Sequence, residues 1–191
     1  MKRLLLAALA ALSVSCRKAE PAKEELVPTK AVVAGERLID FDEQSGAFSC
    51  RAPAEWKAVE DNYSGGPLVM FFGPMSGPLR AKVSISVGRY PDGSGQIKTP
   101  QDYVDSLKLT DQNPSALETR VIDGRTVYAV HYDEPQIDPR SRKTLYMNRE
   151  DTVMIPRKDG FFSISHTAPA DAYQRTLPIF EAVVKSFQPK S

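Results

Sequence analysis

KDGFFSISHTAPADAYQRTLPIFEAVVKSF (residues 158–187) is the stretch that decides the fold. Its Lys-Asp-Gly start predicts a tight turn, because glycine supplies the positive φ that such turns require. Residues 161–166 are predicted to form a strand and residues 169–187 an amphipathic helix. At about 100° per residue, its large apolar side chains fall along one line: Tyr173, Leu177, Phe180, Val184 and Phe187. Pro178 predicts a break or kink near residues 175–177.

Two hairpins follow from the turn signals. Residues 145–155 are predicted to pair with residues 161–166 across the Lys-Asp-Gly turn. Residues 119–122 and 125–132 flank an Asp-Gly pair, which is the strongest short signal for a two-residue hairpin turn. Residues 125–132 carry apolar side chains on both faces, so this strand is expected to be covered on both faces.

The preceding part of the chain predicts further strands and one short helix. Residues 82–87 alternate strictly between polar and apolar side chains, as half-buried strands do. Residues 68–72 are a continuous apolar run, which predicts a buried strand. Thr99, Pro100 and Asp102 predict a helix start, since they can supply the cap, the first helical residue and a negative charge in the first turn.

Two single residues and one loop complete this outline. Trp56, the one tryptophan of the sequence, is predicted to be a core residue in preference to a ligand-stacking one. Cys50 is predicted to be a buried, inert thiol, because no histidine or second cysteine lies nearby in sequence to lower its pKa. Residues 134–142, EPQIDPRSR, are predicted to form a polar loop.

The order of these motifs resembles the PsbP/Mog1-like family. The resemblance rests on TPQDY (residues 99–103), the Asp-Gly hairpin, KDGFFSIS (residues 158–165) and PIFEAVVKSF (residues 178–187), and it spans residues 46–188. It implies an α+β fold in which an antiparallel sheet lies between helices, an α/β/α sandwich, over a domain of residues 46–189. The family includes thylakoid-lumen photosystem II subunits, a Ran-binding protein and bacterial lipoproteins of unassigned role. These motifs specify architecture better than activity.

The N-terminus, MKRLLLAALAALSVSC (residues 1–16), has the three parts of a secretory signal. Lys2 and Arg3 precede a nine-residue apolar run and then small residues. At ~1.5 Å per residue the run is about 14 Å long, too short to span a hydrocarbon core of ~30 Å. The cysteine that follows resembles the lipobox of bacterial lipoproteins. We therefore expect a signal peptide over residues 1–15 and acylation of Cys16; an ordinary secretory signal cut near Ser15 is the alternative.

Acylation places the protein in the bacterial cell envelope, anchored to a membrane and facing the periplasm. Arg17 after the cysteine favours the outer membrane, by resemblance to enterobacterial sorting rules. Residues 16–45 are predicted to be the acylated cysteine followed by a flexible spacer. Within them, residues 17–34 have two prolines, no aromatic residue and interleaved lysine and glutamate.

The charge balance excludes one class of partner. The chain has 25 lysine and arginine residues against 24 aspartate and glutamate residues. Removing the signal with its two cations leaves 23 against 24, a net charge of −1. No basic excess exists to neutralise phosphates, so a nucleic-acid partner is not expected.

The chain offers few candidates for chemistry. His131 and His166 would need a carboxylate such as Asp133 or Glu134 to form a metal site, and neither HxxxH nor CxxC spacing supports one. The acidic residues are expected to be solvated charges: Asp40, Asp42, Glu43, Glu150 and Asp151. We therefore predict no catalytic residue, no metal and no cofactor, and a protein that is not an enzyme.

The sequence favours a membrane-anchored envelope lipoprotein whose domain binds a protein partner without catalysis. The alternative is a carrier of a hydrophobic small molecule or lipid, held between the sheet and the C-terminal helix. A hydrolase or metalloenzyme would require His131, His166 and an acid to converge in a cleft.

Overall fold

The computed structural model describes residues 36–63, 66–77, 79–92 and 95–190. The predicted signal peptide, the predicted acylation site Cys16 and most of the predicted spacer lie outside these residues. Within them, none of the helices has the length and apolar character needed to cross a bilayer.

The elements follow one another as ten strands and two helices in the described ranges. They are β1 (Leu38–Asp42), β2 (Phe48–Pro53), β3 (Lys57–Tyr63), β4 (Gly66–Phe72), β5 (Ser84–Pro91), α1 (Pro100–Leu109), β6 (Glu118–Ile122), β7 (Arg125–Ile137), β8 (Thr144–Arg157), β9 (Gly160–Pro169), α2 (Ala170–Ser186) and β10 (Gln188–Pro189). Seven strands form one antiparallel sheet in the order β3-β4-β5-β9-β8-β7-β6. The other three form a small antiparallel sheet in the order β1-β2-β10.

The large sheet lies between the two helices, as the sequence predicts. On one face, α2 and strand β2 cover the main core, which includes Val69, Ile85, Val127, Val153 and Ile164. On the other face, Tyr103 and Val104 of α1 pack against Val130, Met154 and Phe161. The antiparallel α+β prediction is confirmed, and strand β7 is covered on both faces as expected.

Both hairpin turns depend on the residues that predicted them. Asp123 and Gly124 have φ values of 48° and 75°, the left-handed conformation of a two-residue turn. Gly160 has φ 122° at the start of β9, and a Cβ on it would collide with the carbonyl oxygen of Tyr90. Glycine is therefore required there for close approach of β5 to β9 as well as for backbone conformation.

Helix α1 begins as predicted. The Thr99 hydroxyl accepts a hydrogen bond from the Asp102 amide at 3.1 Å, and the Asp102 carboxylate accepts one from the Thr99 amide at 2.9 Å. This reciprocal pair is a capping box, with Pro100 in the first turn.

We expect Thr99→Ala to lower the free energy of unfolding by about 1 kcal/mol, because the Asp102 amide loses its partner at the helix start. Urea denaturation monitored by circular dichroism measures the change. Thr99→Ser keeps the hydroxyl and should lose less than half as much. Equal losses in the two variants would contradict the capping role.

Helix α2 corrects part of the prediction for the C-terminal stretch. It continues through Pro178 without a break. Pro178 is exposed, so the carbonyl that its missing N–H leaves free can be solvated. The buried stripe is also broader than the predicted line, since Ile179 and Val183 are buried while Leu177 is only partly so.

Three other boundaries differ from the sequence-based predictions. Strand β1 lies inside the predicted spacer and pairs with β2, so the folded region begins before residue 46. The predicted polar loop at residues 134–142 begins later, because β7 continues to Ile137 opposite β8. The apolar run at residues 68–72 buries only alternate side chains, Val69 and Phe71. By contrast, Val83, Ile85 and Val87 are buried as their alternation predicts.

Candidate functional site

A groove of about 430 Å³ lies between α2 and strands β6, β7 and β8, and we call it the α2 groove. Its apolar lining includes Ile122, Ala129, Val153, Leu177, Phe180 and Val184. Its charged or polar lining includes Arg120, His131, Arg149, Asp151, Glu181 and Lys185. The groove thus combines an apolar floor with a rim that carries charges of both signs.

The groove exists because α2 covers only part of its face of the sheet. The helix packs mainly on β2, β8 and β9 and contacts the outer strands β6 and β7 less. Ala129 of β7 is small and buried, so the floor remains low beside the Phe180 ring. On the outer side, Arg120 of β6 holds an ion pair with Glu118 at 2.7 Å.

One end of the groove is organised around Asp151. Its carboxylate accepts a hydrogen bond from the Tyr173 hydroxyl. The Arg149 guanidinium lies 3.9 Å from the same carboxylate and 4.9 Å from the centre of the Tyr173 ring. Burial raises the pKa of Asp151, while the positive charges of Arg149, His131 and Arg120 oppose that rise. The prediction that Asp151 is a solvated charge is therefore wrong.

The two histidines lie in one row across three strands. His131 of β7 is paired with Asp151 of β8, and Asp151 is paired with His166 of β9. Because β8 separates the histidines, their Cα atoms are two strand spacings apart, roughly 10 Å. A metal site formed by both histidines would need them on neighbouring strands, together with a carboxylate from Asp133 or Glu134. In this fold the histidines lie on β7 and β9, with β8 between them. In the described ranges no cluster of three or more His, Cys, Asp or Glu residues could hold a metal ion.

His166 is a core residue. Its ring stacks between Tyr173 and Phe180, with centroid distances of 5.4 Å to each. Its Nε2 lies 2.8 Å from the Thr176 hydroxyl, which itself donates to the Ala172 carbonyl. Which of the two groups donates in this hydrogen bond depends on the imidazole tautomer. Burial lowers the pKa of His166 to about 4, so the ring is neutral.

A second polar cluster lies on the α1 face of the sheet, around Glu150. The Thr167 hydroxyl donates to its carboxylate at 3.0 Å, and the Thr152 hydroxyl lies 3.4 Å from it. Burial raises the pKa of Glu150 against these hydrogen bonds and one from Tyr132. Burial also raises the pKa of the Tyr132 and Tyr103 hydroxyls, with the negative charge of Glu150 acting in the same sense. The prediction that Glu150 is a solvated charge is wrong.

The remaining acidic candidates belong to the N-terminal edge. Asp40 and Asp42 are exposed, as predicted, and Asp42 pairs with Lys190. Glu43 is buried instead. Its carboxylate accepts hydrogen bonds from the Ser45 hydroxyl and from the amides of Ser45 and Ala47. Burial opposes ionisation of Glu43, but these hydrogen bonds outweigh it and lower the pKa. Glu43 therefore closes the β1–β2 turn.

Cys50 and Trp56 are both buried, as predicted. Cys50 is buried in β2, and burial raises its pKa to about 12, which disfavours the reactive thiolate. Trp56 is buried in the main core, and its indole N–H donates to Glu36 at 3.0 Å. Gly73 lies against the indole ring, where a Cβ would come within 2.7 Å of it. Neither residue is placed to contact a ligand in the α2 groove.

Comparison with known proteins supports the fold. No family model matches the chain, and no curated protein matches its sequence. The Ran-binding protein Mog1p of Saccharomyces cerevisiae has a TM-score of 0.53 at 12% identity, covering 81% of this chain and 96% of that one. The cyanobacterial PsbP (CyanoP) of Synechocystis has a TM-score of 0.50 at 15% identity, covering 81% of this chain and 94% of that one.

A crystal structure from Bacteroides thetaiotaomicron has a TM-score of 0.49 at 14% identity and covers 80% of this chain. This chain spans 48% of that protein, about half its length. At these identities the likeness to Mog1p and PsbP concerns the fold alone. The chain has the PsbP/Mog1-like fold that its hairpin and helix motifs predict.

Proposed function

We propose that this protein is a bacterial envelope lipoprotein, acylated at Cys16, whose folded domain binds a protein partner in the α2 groove without catalysing a reaction. We infer an anchor in the outer membrane, with the domain in the periplasm. The N-terminal sequence supports the anchor: a charged start, a short apolar run and small residues lead to one cysteine. Stable anchoring is expected of a doubly acylated residue, at ~0.8 kcal/mol for each buried CH₂ group.

The single observation that carries the binding function is the composition of the α2 groove. Its floor is apolar, and its rim presents Arg120 and Lys185 as well as Glu181. Protein interfaces combine apolar anchors with a polar rim in the same way. The neighbour Mog1p is named for binding another protein, Ran, on the same architecture.

The ionisable groups near the groove favour binding over catalysis. Asp151 is engaged by Tyr173 and Arg149, and His166 is neutral and covered by α2. General acid or base chemistry needs a titrating group within reach of a substrate. His166 does not meet that condition.

We expect a photo-crosslinking residue placed at Glu181, on the groove wall, to capture a discrete protein adduct in intact cells. The same residue at Lys57, exposed on the opposite edge strand β3, should not capture it. Gel electrophoresis and peptide mass spectrometry identify the adduct. Cys16→Ala should abolish it, because the domain then no longer remains at the membrane. The same adduct from Lys57, or none from Glu181, contradicts a protein partner in the groove.

The second candidate function is a carrier of a hydrophobic small molecule. It is favoured by the groove volume of about 430 Å³ and its apolar floor, since small-molecule sites are commonly about 300–1,000 Å³. In that case native mass spectrometry of the purified protein would find a bound lipid-like molecule. Ala129→Phe, which fills the floor, would remove it, and the Glu181 position would give no protein adduct.

A further inference from the structure

Strands β7 and β8 continue beyond the rest of the sheet. Strand β6 pairs with β7 only as far as Ala129, and β9 pairs with β8 only as far as Asn148. In the described part of the chain, residues 133–137 of β7 and 144–147 of β8 therefore have only each other as strand-pairing partners. We call residues 133–147, including the tip between these strands, the β7–β8 arm.

One face of the arm is exposed and largely apolar, with the exposed Asp133 at its base. Pro135 and Met147 are cross-strand partners, and Ile137 lies opposite the bulge that includes Leu145. By strand alternation all four side chains share the face that continues from His131 and Arg149 at the end of the α2 groove. Ile137, Leu145 and Met147 are 51%, 47% and 39% exposed. Isolated exposed apolar residues are ordinary, but a contiguous face of them indicates a contact surface.

The opposite face of the arm is polar and partly covered. Glu134 accepts hydrogen bonds from the side-chain amides of Gln112 and Gln136, at 3.4 and 3.0 Å. Gln112 follows α1, so the arm rests against the body of the domain on this side. The arm therefore presents its apolar face outward from a supported position.

The tip of the arm is basic and contains its own hydrogen bonds. It carries Arg140, Arg142 and Lys143, all exposed. Its one carboxylate, Asp138, accepts hydrogen bonds from the Arg140 amide and the Ser141 hydroxyl, both at 2.8 Å. Among the described residues, none of the three basic side chains has an ion pair. The arm also carries Asp133, Glu134 and Asp138, but Glu134 lies on the opposite face and Asp138 is hydrogen-bonded within the tip. The three cations are therefore concentrated at the tip, beside the apolar face.

We propose that the β7–β8 arm docks on the surface of an anionic lipid bilayer. Arg140, Arg142 and Lys143 contact lipid phosphates, and Ile137 and Leu145 enter the boundary between headgroups and acyl chains. Exposed apolar residues next to cations are the combination that interfacial segments use. The inference draws on the proposed function in one respect, the acyl anchor at Cys16.

An acyl anchor at Cys16 holds the arm within reach of the membrane surface. Nineteen residues lie between Cys16 and Glu36, where the described structure begins. Fully extended they span no more than about 70 Å, which keeps the domain near the membrane. A tethered domain meets the surface at high effective concentration, so a weak contact is enough to set its orientation.

The test is a vesicle flotation assay with the processed chain, residues 16–191, carrying Cys16→Ala so that no acyl group contributes. We expect it to bind phosphatidylcholine vesicles that contain about one-third phosphatidylglycerol, and to bind pure phosphatidylcholine far more weakly. Raising the salt from about 0.1 M to about 0.5 M should release it, because screening shortens the reach of the phosphate charges.

Two variants and one matched control locate the contact. The triple variant Arg140→Ala, Arg142→Ala and Lys143→Ala should lower the partition coefficient about a hundredfold, at roughly fivefold for each cation. Ile137→Ser with Leu145→Ser should lower it at least tenfold, since the apolar contact is lost. The control removes the same charge from exposed lysines elsewhere, Lys57, Lys98 and Lys158, and should change it less than threefold.

Either of two results would overturn the proposal: no binding to anionic vesicles, or equal losses from the arm and control variants. If the protein does not bind the vesicles while a photo-crosslinker at Leu145 captures a protein in cells, the arm is a protein-docking surface instead. These readouts are separate from the Glu181 adduct, so the arm and the proposed groove function can fail independently.

Discussion

Phe187→Ala is expected to lower the free energy of unfolding by about 3–5 kcal/mol, the usual cost of truncating a buried phenylalanine. Phe187 is 0% exposed. Its ring lies 5.3 Å from the centre of Phe48 in β2 and 5.2 Å from that of Phe162 in β9. These three rings join the small sheet, the large sheet and the end of α2, so a cavity there weakens three elements at once. Urea denaturation followed by tryptophan fluorescence measures the loss.

The matched control is Leu109→Ala, at the end of α1. Leu109 is also a large apolar residue in the sequence but is 86% exposed. Its truncation should change the unfolding free energy by no more than about 0.5 kcal/mol. A loss below about 1.5 kcal/mol for Phe187→Ala would contradict the role of the ring cluster.

The sequence predicts those parts of the fold that depend on neighbours along the chain. The Asp123–Gly124 turn predicts the pairing of β6 with β7, and the two-residue turn before Gly160 predicts that of β8 with β9. The second turn also fixes the register, so the pairing of Asp151 with His166 follows from counting back along both strands.

Other parts depend on contacts between distant residues and could not be predicted. Arg125 follows the first hairpin turn, yet its guanidinium donates to the carbonyls of Phe187 and Val184 at 2.6 and 3.3 Å, at the end of α2. The carbonyls lie 62 and 59 residues further along the chain, and nothing in the local pattern near Arg125 signals a helix cap. Strand β1 was missed for the same reason, because only pairing with β2 distinguishes it from a spacer.

The candidate site also depends on contacts between residues that are distant in the sequence. The α2 groove results from the position of α2 over β8 and β9, which no periodicity specifies. The burial of Glu150 and Asp151 could not be seen either. They are consecutive in β8, so one faces α1 and the other faces α2. Two charged residues in the middle of a strand predict solvent exposure, unless both faces of that strand are known to be covered.

The buried imidazole of His166 makes stability depend on pH in a direction that can be derived. The ordinary pKa of histidine is 6.5, and burial lowers that of His166 to about 4. Between these two values the unfolded chain binds a proton that the folded chain does not. The stabilisation is therefore complete above pH 6.5 and is lost as the pH falls to about 4. At 1.36 kcal/mol for each pKa unit the loss is about 3 kcal/mol.

The carboxylates of Asp151 and Glu150 make stability depend on pH in the opposite direction. Asp151 is the cross-strand partner of His166, and Tyr173 contacts both residues. Burial raises the pKa of Asp151 and of Glu150, so each binds a proton in the folded protein at a higher pH than in the unfolded chain. Their contribution to stability rises as the pH falls through the folded pKa. The contribution of His166 must therefore be measured as the difference in stability between the wild type and a variant that lacks this histidine.

We expect the stability gap between wild type and His166→Gln to narrow by about 3 kcal/mol from pH 7.5 to pH 4, because only the wild type loses the histidine contribution. Glutamine keeps a hydrogen-bonding partner for Thr176 while removing the titrating group. Urea denaturation at a series of pH values measures the gap. Phe180→Leu removes one of the two stacked rings but leaves His166 in place, so its gap from wild type should stay nearly constant. A gap for His166→Gln that varies by less than about 0.5 kcal/mol would mean that the imidazole is protonated inside the fold, with α2 opening to admit a counter-charge.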